Sequence, residues 1–234
     1  VCVAGGTLYD VIHKGSAKYF FGLVKKGAAG KTREVPFGEK VSVVAKTTAH
    51  DVLASGEFCN TRRRLAHLLT MYGFLAYVIA TATMVFGYPT PSAPTPALLV
   101  NVWWIGIVML AVGCYWFWFF IRVDVAAEGN SPFRMVRADL FVVALMVSAS
   151  LGIIWGYLQV NGNFWSTFAL GLYLISTTVL FGSVIWSKFS HMFFKPAAAY
   201  QKNMAKADGG RRNLPAPSDK PSIYGKVQRH SHHY

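Results

Sequence analysis

Two long apolar runs form the centre of the chain, and polar turns divide each run into two segments. No Asp, Glu, Lys or Arg occurs from Leu65 to Ile121 or from Leu140 to Ser187. A helix rises about 1.5 Å per residue and a bilayer core is about 30 Å thick, so about 20 apolar residues cross it once. Each run is therefore long enough for two crossings. We predict four transmembrane helices, at about residues 65 to 87, 97 to 122, 138 to 160 and 164 to 187.

Turn-forming residues separate the four segments. The first loop is the proline-rich stretch 88–96, the second lies at 128–132, and the third and shortest is 160–163. Proline removes a backbone donor and forces an extended backbone, while Asn and Gly favour tight turns. The pattern predicts an all-α membrane protein in which residues 65–195 form a four-transmembrane-helix bundle.

Polar and basic segments flank this bundle. Within residues 1–64, apolar side chains recur at helical spacing from Thr7 to Lys26 beside several lysines. That pattern favours an amphipathic helix on an anionic membrane surface or on a partner protein. A second short helix is predicted from Ser42 to Leu53. Residues 196–234 are rich in Pro, Lys and Gly, which predicts an extended polar tail.

Composition and charge indicate the compartment. The chain is 53% hydrophobic and 14% charged, as in integral membrane proteins. Its net charge is +13, but the basic residues flank the apolar runs and do not form a separate basic domain, so the charge does not indicate a nucleic-acid-binding protein. Of the 23 Lys and Arg residues, 11 lie in 1–64, 3 in 122–139 and 9 in 188–234. Four crossings return both termini to one side. The positive-inside rule assigns that side to the cytoplasm, and hence the chain to the inner membrane.

The positions of the cysteines bear on metal binding, and those of the tryptophans bear on anchoring in the membrane. The three cysteines are too far apart in sequence for an iron–sulfur or zinc site made by this chain alone. Four tryptophans lie near predicted helix ends, where aromatic side chains anchor membrane helices at the interface. They are Trp103, Trp104, Trp165 and Trp186.

Two histidines are the candidate cofactor ligands. His67 lies at the start of the first predicted span and His191 just after the last, so both are expected at the cytoplasmic boundary. Two imidazoles at similar depth can coordinate one haem iron, and a b-type haem needs no covalent attachment. Arg64 and Lys188 can pair with the haem propionates or only maintain the topology. Equally, both histidines can be interfacial side chains beside basic anchors.

Other polar and small residues have simpler interpretations. His13 and His50 are expected to be solvated or to face a partner, and the histidines at 230, 232 and 233 form a short tract of the kind that is often incidental. Asp139 is expected to cap a helix and pair with Arg137, with proton relay to a quinone as the alternative. Six glycines can admit a flat macrocycle or allow close helix packing. They are Gly73, Gly106, Gly113, Gly152, Gly156 and Gly171.

Four motifs carry a resemblance to a known family. They are Cys59-Asn60 with Arg62-Arg-Arg-Leu-Ala-His67, Tyr72-Gly-Phe74, Arg137-Ala-Asp139, and Lys188-Phe-Ser-His191-Met. Over residues 50–200 the chain resembles the membrane cytochrome b group of nitrate reductase gamma subunits and heterodisulfide-reductase-like membrane subunits. Within that group its small, cluster-free form is most similar to the membrane anchors of dissimilatory adenylylsulfate reductase.

The resemblance implies a non-catalytic subunit that passes electrons between a cytoplasmic iron–sulfur or flavin oxidoreductase and quinone. Nitrate reductase gamma subunits hold two haems, each between two histidines. His67 and His191 match the cytoplasmic pair, while Tyr77 and Tyr173 lie near the expected second pair, so the resemblance implies one haem b. Two alternatives remain open. One is a cofactor-free structural anchor, and the other is an accessory subunit of another respiratory or photosynthetic membrane complex.

Overall fold

A computed structural model describes residues 2–13, 16–58, 60–90, 92, 94–123, 131–136, 139–183 and 191–210 of the chain. Throughout these ranges the backbone is helical or forms turns and loops, with no strand, as an all-α protein requires. The helices are α1 (Cys2–His13), α2 (Ser16–Ala29), α3 (Phe37–Lys46), α4 (Thr61–Gly87), α5 (Ala97–Trp116), α6 (Leu140–Val160), α7 (Ser166–Gly182) and α8 (His191–Ala207). Two π-helical segments, Thr47–Leu53 and Phe117–Ile121, continue α3 and α5.

Three of these helices are long and apolar enough to cross a membrane. They are Thr61–Gly87, Ala97–Ile121 and Leu140–Val160. The next helix, Ser166–Gly182, is also apolar but has 17 residues. The chain is therefore an all-helical membrane protein that associates with a lipid bilayer. The predicted end of the last span, 184–187, lies outside the described residues.

Several helix bounds differ from the sequence-based prediction. The helix α4 begins at Thr61 rather than near residue 65, because the Asn60 side chain caps it. The predicted N-terminal helix is two helices, α1 and α2, and the predicted Ser42–Leu53 helix is α3 followed by a π-helical segment. Residues 196–207, predicted as part of the polar tail, continue α8 through Pro196.

The described residues fall into two compact units. The membrane unit is Asn60–Ser183, and the terminal unit contains α1, α2, α3, the π-helical segment Thr47–Leu53 and α8. The terminal unit therefore joins helices from both ends of the chain. Ala199 of α8 is buried and Asn203 of α8 bonds to the π-helical segment, which explains why a segment of tail-like composition is helical here.

The membrane unit is apolar both inside and outside. One buried cluster takes side chains from all four helices, for example Ala80, Ile107, Leu145 and Leu180. Each helix also exposes large apolar side chains on its outer face, including Ile79, Ile105, Ile154 and Ile175. A helix that is apolar all round suits a hydrocarbon environment rather than water.

Candidate functional site

The helix that carries His67 starts at a defined cap. The Asn60 side-chain oxygen accepts hydrogen bonds from the backbone nitrogens of Arg62 at 2.9 Å and Arg63 at 3.3 Å. Asn at this position satisfies backbone donors that the first helical turn leaves without intrahelical partners. The cap therefore fixes the basic residues in the first turn of α4 and His67 in the second.

His67 lies in the second turn of α4, on the same face of the helix as Phe74. Its side chain is half-buried, one position beyond the fully buried Ala66. Phe74 follows seven residues later on the same face, and its ring lies 6.4 Å from that of Phe181 in α7. Two helical turns span about 11 Å, so His67 lies that far from the α4–α7 contact, towards the Asn60 end. A partly buried imidazole such as that of His67 suits an axial haem ligand.

The structure describes less of the other candidate ligands. His191 is the first residue of α8, but its side chain lies outside the described part of the chain, as does all of Lys188. Arg64 is half-buried in the first turn of α4, three residues before His67. Side chains three residues apart are neighbours on a helix surface. The guanidinium and the imidazole therefore leave α4 on adjacent parts of its surface.

Close contact between helices explains five of the six glycines that the sequence analysis names. A Cβ added to Gly73 would lie 2.5 Å from the backbone nitrogen of Leu110, and one added to Gly106 would lie 2.6 Å from that of Tyr77. A Cβ on Gly113 would lie 2.7 Å from the Thr70 nitrogen. The backbones of α4 and α5 thus touch at three levels. The alternative that these glycines admit a macrocycle is wrong for this interface.

The remaining glycines of the set differ from one another. A Cβ on Gly152 would meet the Ile107 side chain at 2.6 Å, and one on Gly156 would meet the Trp104 ring at 3.0 Å. Nothing lies within 4 Å of a Cβ placed on Gly171. Gly152 and Gly156 therefore also serve packing, whereas Gly171 makes no close approach.

Aromatic rings fill the level of Tyr77 and Tyr173, where the family resemblance would place a second pair of haem ligands. The Tyr77 ring lies 5.9 Å from that of Trp103, which is 6.0 Å from Trp155, and Trp155 stacks on Tyr173 at 5.6 Å. Trp103 Nε1 also donates to the Thr81 hydroxyl at 3.0 Å. Trp103 was predicted as an interfacial anchor, and this is wrong because its side chain is buried in the helix core.

The other predicted anchors have different environments. Trp165 is exposed at the start of α7, as an interfacial anchor should be, and Trp104 is half-buried with its ring 5.2 Å from that of Trp103. Trp186 lies outside the described residues. Of the three tryptophans that the structure describes, Trp165 alone has the exposure that the sequence-based interpretation expects.

A buried ion pair joins Arg122, which follows the π-helical segment Phe117–Ile121, to Asp139, which directly precedes α6. Arg122 Nη2 lies 2.5 Å from Asp139 Oδ2, and their side chains are 0% and 14% exposed. The same guanidinium donates to the carbonyls of Ser131 and Arg134 and lies over the Trp118 ring at 4.3 Å. Each of the three guanidinium nitrogens therefore donates to an oxygen of the protein.

The sequence-based assignment of Asp139 is corrected by this geometry. Its side chain makes no capping bond to α6, but accepts from the Val136 nitrogen at 2.9 Å and pairs with Arg122. Arg137, its expected partner, lies outside the described residues. Sequence reasoning missed Arg122, although a cation at the end of an apolar run followed by an acid at the start of the next was the available signal.

Polar bonds join the two ends of the chain within the terminal unit. Asn203 Nδ2 donates to Thr47 Oγ1 at 2.9 Å and to Asp51 Oδ2 at 2.6 Å. His50, predicted as solvated, is exposed, and its Nδ1 lies 2.8 Å from Asp51 Oδ1. Partial burial alone would raise the pKa of Asp51, but the hydrogen bonds from His50 and Asn203 outweigh it and lower that pKa.

A second set of bonds closes the C-terminal end of α8. The backbone nitrogens of Thr32 and Arg33 donate to the Asp208 carbonyl at 3.0 and 3.3 Å, and Arg33 Nε donates to the Ala207 carbonyl at 2.7 Å. The last carbonyls of a helix lack intrahelical donors and carry partial negative charge, which a cation stabilises. His13, the remaining described candidate, stacks on Tyr9 in α1 with ring centroids 5.0 Å apart.

The fold and these contacts define the class as an all-helical integral membrane protein with a compact unit built from both flanks of its apolar helices. No family model matches the chain, and no solved structure matches it. It is similar to citrate utilization protein B of Escherichia coli, with 24% identity over 210 residues, covering 80% of this chain and 54% of that protein. The chain thus spans about half the length of the curated relative it matches.

Proposed function

We propose that the chain is a membrane anchor and electron-transfer subunit that links a cytoplasmic oxidoreductase to the quinone pool through one b-type haem. The position of His67 carries this proposal. The half-buried imidazole lies on the α4 face that includes Phe74, and Phe74 contacts Phe181 of α7. Ten residues after Phe181 the chain reaches His191. Bis-histidine ligation needs one imidazole from each of two chain segments, and His67 and His191 would supply one each.

The proposed membrane unit has four crossings. Asn203 bonds to Thr47 and Asp51, so segments before α4 and after α7 fold together. A polar folded unit lies on one side of a bilayer, and the chain between its two parts must then cross an even number of times. Helices α4, α5 and α6 supply three crossings, and α7 supplies the fourth. Its 17 residues span about 25 Å, close to the thickness of a bilayer core of about 30 Å.

The proposed orientation follows from the distribution of cations. Both termini and the loop between α5 and α6 carry all 23 Lys and Arg residues, while the other two loops carry none. Basic residues near membrane spans are retained in the cytoplasm. We therefore place both termini in the cytoplasm and the chain in the inner membrane.

The residues of α4 suit one haem on its α7-facing side. Backbone contact at Gly73 and Gly106 closes the α5-facing side. His67 and His191 would hold the iron, and the cations Arg64 and Lys188 would pair with propionates through charge-assisted hydrogen bonds. When bound, the haem supplies a one-electron centre between the partner enzyme and quinone.

The proposed partner is a soluble iron–sulfur or flavin oxidoreductase that docks on the cytoplasmic side. The family resemblance carried by the motif Arg62-Arg-Arg-Leu-Ala-His67 supports adenylylsulfate reductase as that partner. Its half-reaction joins sulfite and AMP to form adenylylsulfate and releases two electrons. Those electrons would enter this subunit one at a time and leave it on quinone.

The test is the substitution His67→Ala in the full chain. We expect the purified variant to lose the reduced-minus-oxidised alpha band while it remains in the membrane fraction, because its apolar helices and flanking cations are unchanged. His50→Ala is the matched control, since this exposed imidazole belongs to the terminal unit and should leave the band unchanged. A full alpha band in the His67 variant contradicts the ligand assignment.

A cofactor-free structural anchor is the rival function, and the tight packing of the membrane unit favours it. Glycine contacts join α4 to α5, and aromatic rings fill the level of Tyr77 and Tyr173. In this version the chain is an anchor or accessory subunit of another respiratory or photosynthetic complex. A colourless, iron-free wild-type preparation would establish the rival, and the copurifying chains would identify the complex.

The similarity to citrate utilization protein B favours a second partner system. In this version the chain belongs to a membrane complex that uses citrate. Membranes that contain the chain should then consume citrate faster than matched membranes that lack it. Reduction of the complex by sulfite with AMP, and no effect of the chain on citrate consumption, would favour the adenylylsulfate system instead.

A further inference from the structure

The outer face of α3 carries an apolar stripe that the described residues leave uncovered. Phe37, Val41 and Val44 are spaced by four and three residues, so they share one face of the helix. Their side chains are 80%, 51% and 47% exposed. Adjacent large apolar side chains on an otherwise polar surface mark a contact with a membrane or a partner.

A small polar cavity lies beside this stripe. Its volume is about 110 Å³, and its lining includes Lys31, Arg33 and Lys40 together with Glu34 and Asp208. One water needs about 10–15 Å³ of such space, so the cavity has room for a group larger than water, such as a phosphate. Lys40 belongs to α3 itself, three residues after Phe37 and four before Val44, so its side chain borders both the stripe and the cavity.

The cations of the cavity differ in how far they are already neutralised. Arg33 pairs with Glu39, and the Asp208 carboxylate accepts a hydrogen bond from the Gly210 nitrogen at 2.9 Å. Among the described residues, no carboxylate lies within ion-pair distance of Lys31 or Lys40. These two ammonium groups are therefore the ones that an external anion would neutralise.

We infer that α3 lies on an anionic phospholipid surface, with its apolar stripe among the acyl chains and with Lys31 and Lys40 on lipid phosphates. Cations that flank an apolar helical face are the pattern of interfacial helices. A bilayer is favoured over a protein partner because the same chain carries helices that are long and apolar enough to cross a membrane. This role is independent of the proposed electron transfer, since it needs neither haem nor quinone.

The test uses the full chain in nanodiscs of phosphatidylcholine, with and without phosphatidylglycerol. Hydrogen exchange of residues 37–46 is measured by mass spectrometry, and we expect slower exchange only in the anionic discs. A cation near an anionic surface contributes about 1 kcal/mol, or about a fivefold change in occupancy. The double substitution Lys31→Glu with Lys40→Glu should therefore lower occupancy of the anionic surface at least about 25-fold.

Two further variants separate charge from burial. Arg134→Glu with Lys195→Glu changes the net charge equally at exposed sites outside the cavity, and we expect a much smaller effect from it. Val41→Ser with Val44→Ser keeps the cations and removes the apolar stripe, so it should also release α3 from anionic discs. Unchanged exchange of α8 in each variant shows that the terminal unit is still folded.

Three results would overturn the inference. Equal exchange of α3 in both kinds of disc means that anionic lipid is not recognised. Protection by inorganic phosphate in phosphatidylcholine discs means that the cavity is a site for a free anion. Protection that arises only when copurified soluble subunits are added means that the stripe is a protein-docking face.

Discussion

A guanidinium at the end of an apolar helix must find its partners within the protein once its side chain is buried. Arg122 does so with the Asp139 carboxylate, two backbone carbonyls and the Trp118 ring. The cost of burying a pair of charges is large, and such pairs often add little net stability. Loss of one partner is different, because it leaves the other charge buried and uncompensated.

Asp139→Asn should therefore destabilise the membrane unit strongly. The substitution removes the charge that faces Arg122 and preserves the size of the side chain, so the free energy of unfolding should fall by about 3–5 kcal/mol. The measurement is thermal or denaturant unfolding of the full chain in detergent micelles.

Glu39→Gln is the matched control for this change. The Arg33–Glu39 pair is 48% and 35% exposed, so water screens it and its loss should cost at most about 1 kcal/mol. Equal destabilisation by the two substitutions would mean that burial of Arg122 does not set the strength of its ion pair.

At the scale of elements, glycines set the distance between α4 and α5. The Cβ of an alanine at Gly106 would lie 2.6 Å from the backbone nitrogen of Tyr77, and backbone cannot rotate away as a side chain can. The two helices would have to separate along a contact that also includes Gly73 and Gly113. Interior packing is dense enough for such a shift to disturb its neighbours.

Gly106→Ala is therefore expected to lower the free energy of unfolding by about 1–3 kcal/mol, the usual cost of overpacking. Gly171→Ala is the control, because nothing lies within 4 Å of the added Cβ and alanine is the better helix former. We expect that variant to unfold at an equal or higher temperature. If Gly106→Ala were as stable as Gly171→Ala, the close approach of α4 and α5 would be wrong.

The elements of the membrane unit could be predicted from uncharged runs and turn residues, because both signals are local. The first membrane helix, α4, begins four residues earlier than predicted, since the cap at Asn60 precedes the apolar run. Helix α8 was missed because its stability depends on Asn203 meeting Thr47, a contact between residues 156 positions apart. The burial of Trp103 was missed for a similar reason, since apolar composition does not tell the inner face of such a helix from the outer face.

At the scale of the whole molecule, the candidate site was predicted from residue type and expected depth alone. That reasoning selected His67, whose face towards α7 became visible only through the contact of Phe74 with Phe181. It missed Arg122. The cation at the end of one apolar run and the acid at the start of the next were visible in the sequence, but their pairing is set by tertiary structure. Pairs that close a loop are set by tertiary structure, while helix boundaries and charge asymmetry are readable along the chain.

The number of membrane crossings decides whether the segments before α4 and after α7 lie on the same side of the bilayer. Labelling of single cysteines measures this number. In a chain whose three native cysteines are replaced by alanine, the test substitutions are Ser92→Cys, Phe133→Cys, Asn163→Cys and Lys195→Cys. With four crossings, an impermeant maleimide added outside should label the sites at 92 and 163, while those at 133 and 195 react only after permeabilisation. With three crossings, the site at 195 would share the side of 163. That outcome would contradict the four-crossing bundle, because the bonds of Asn203 to Thr47 and Asp51 would then join residues on opposite sides of a bilayer.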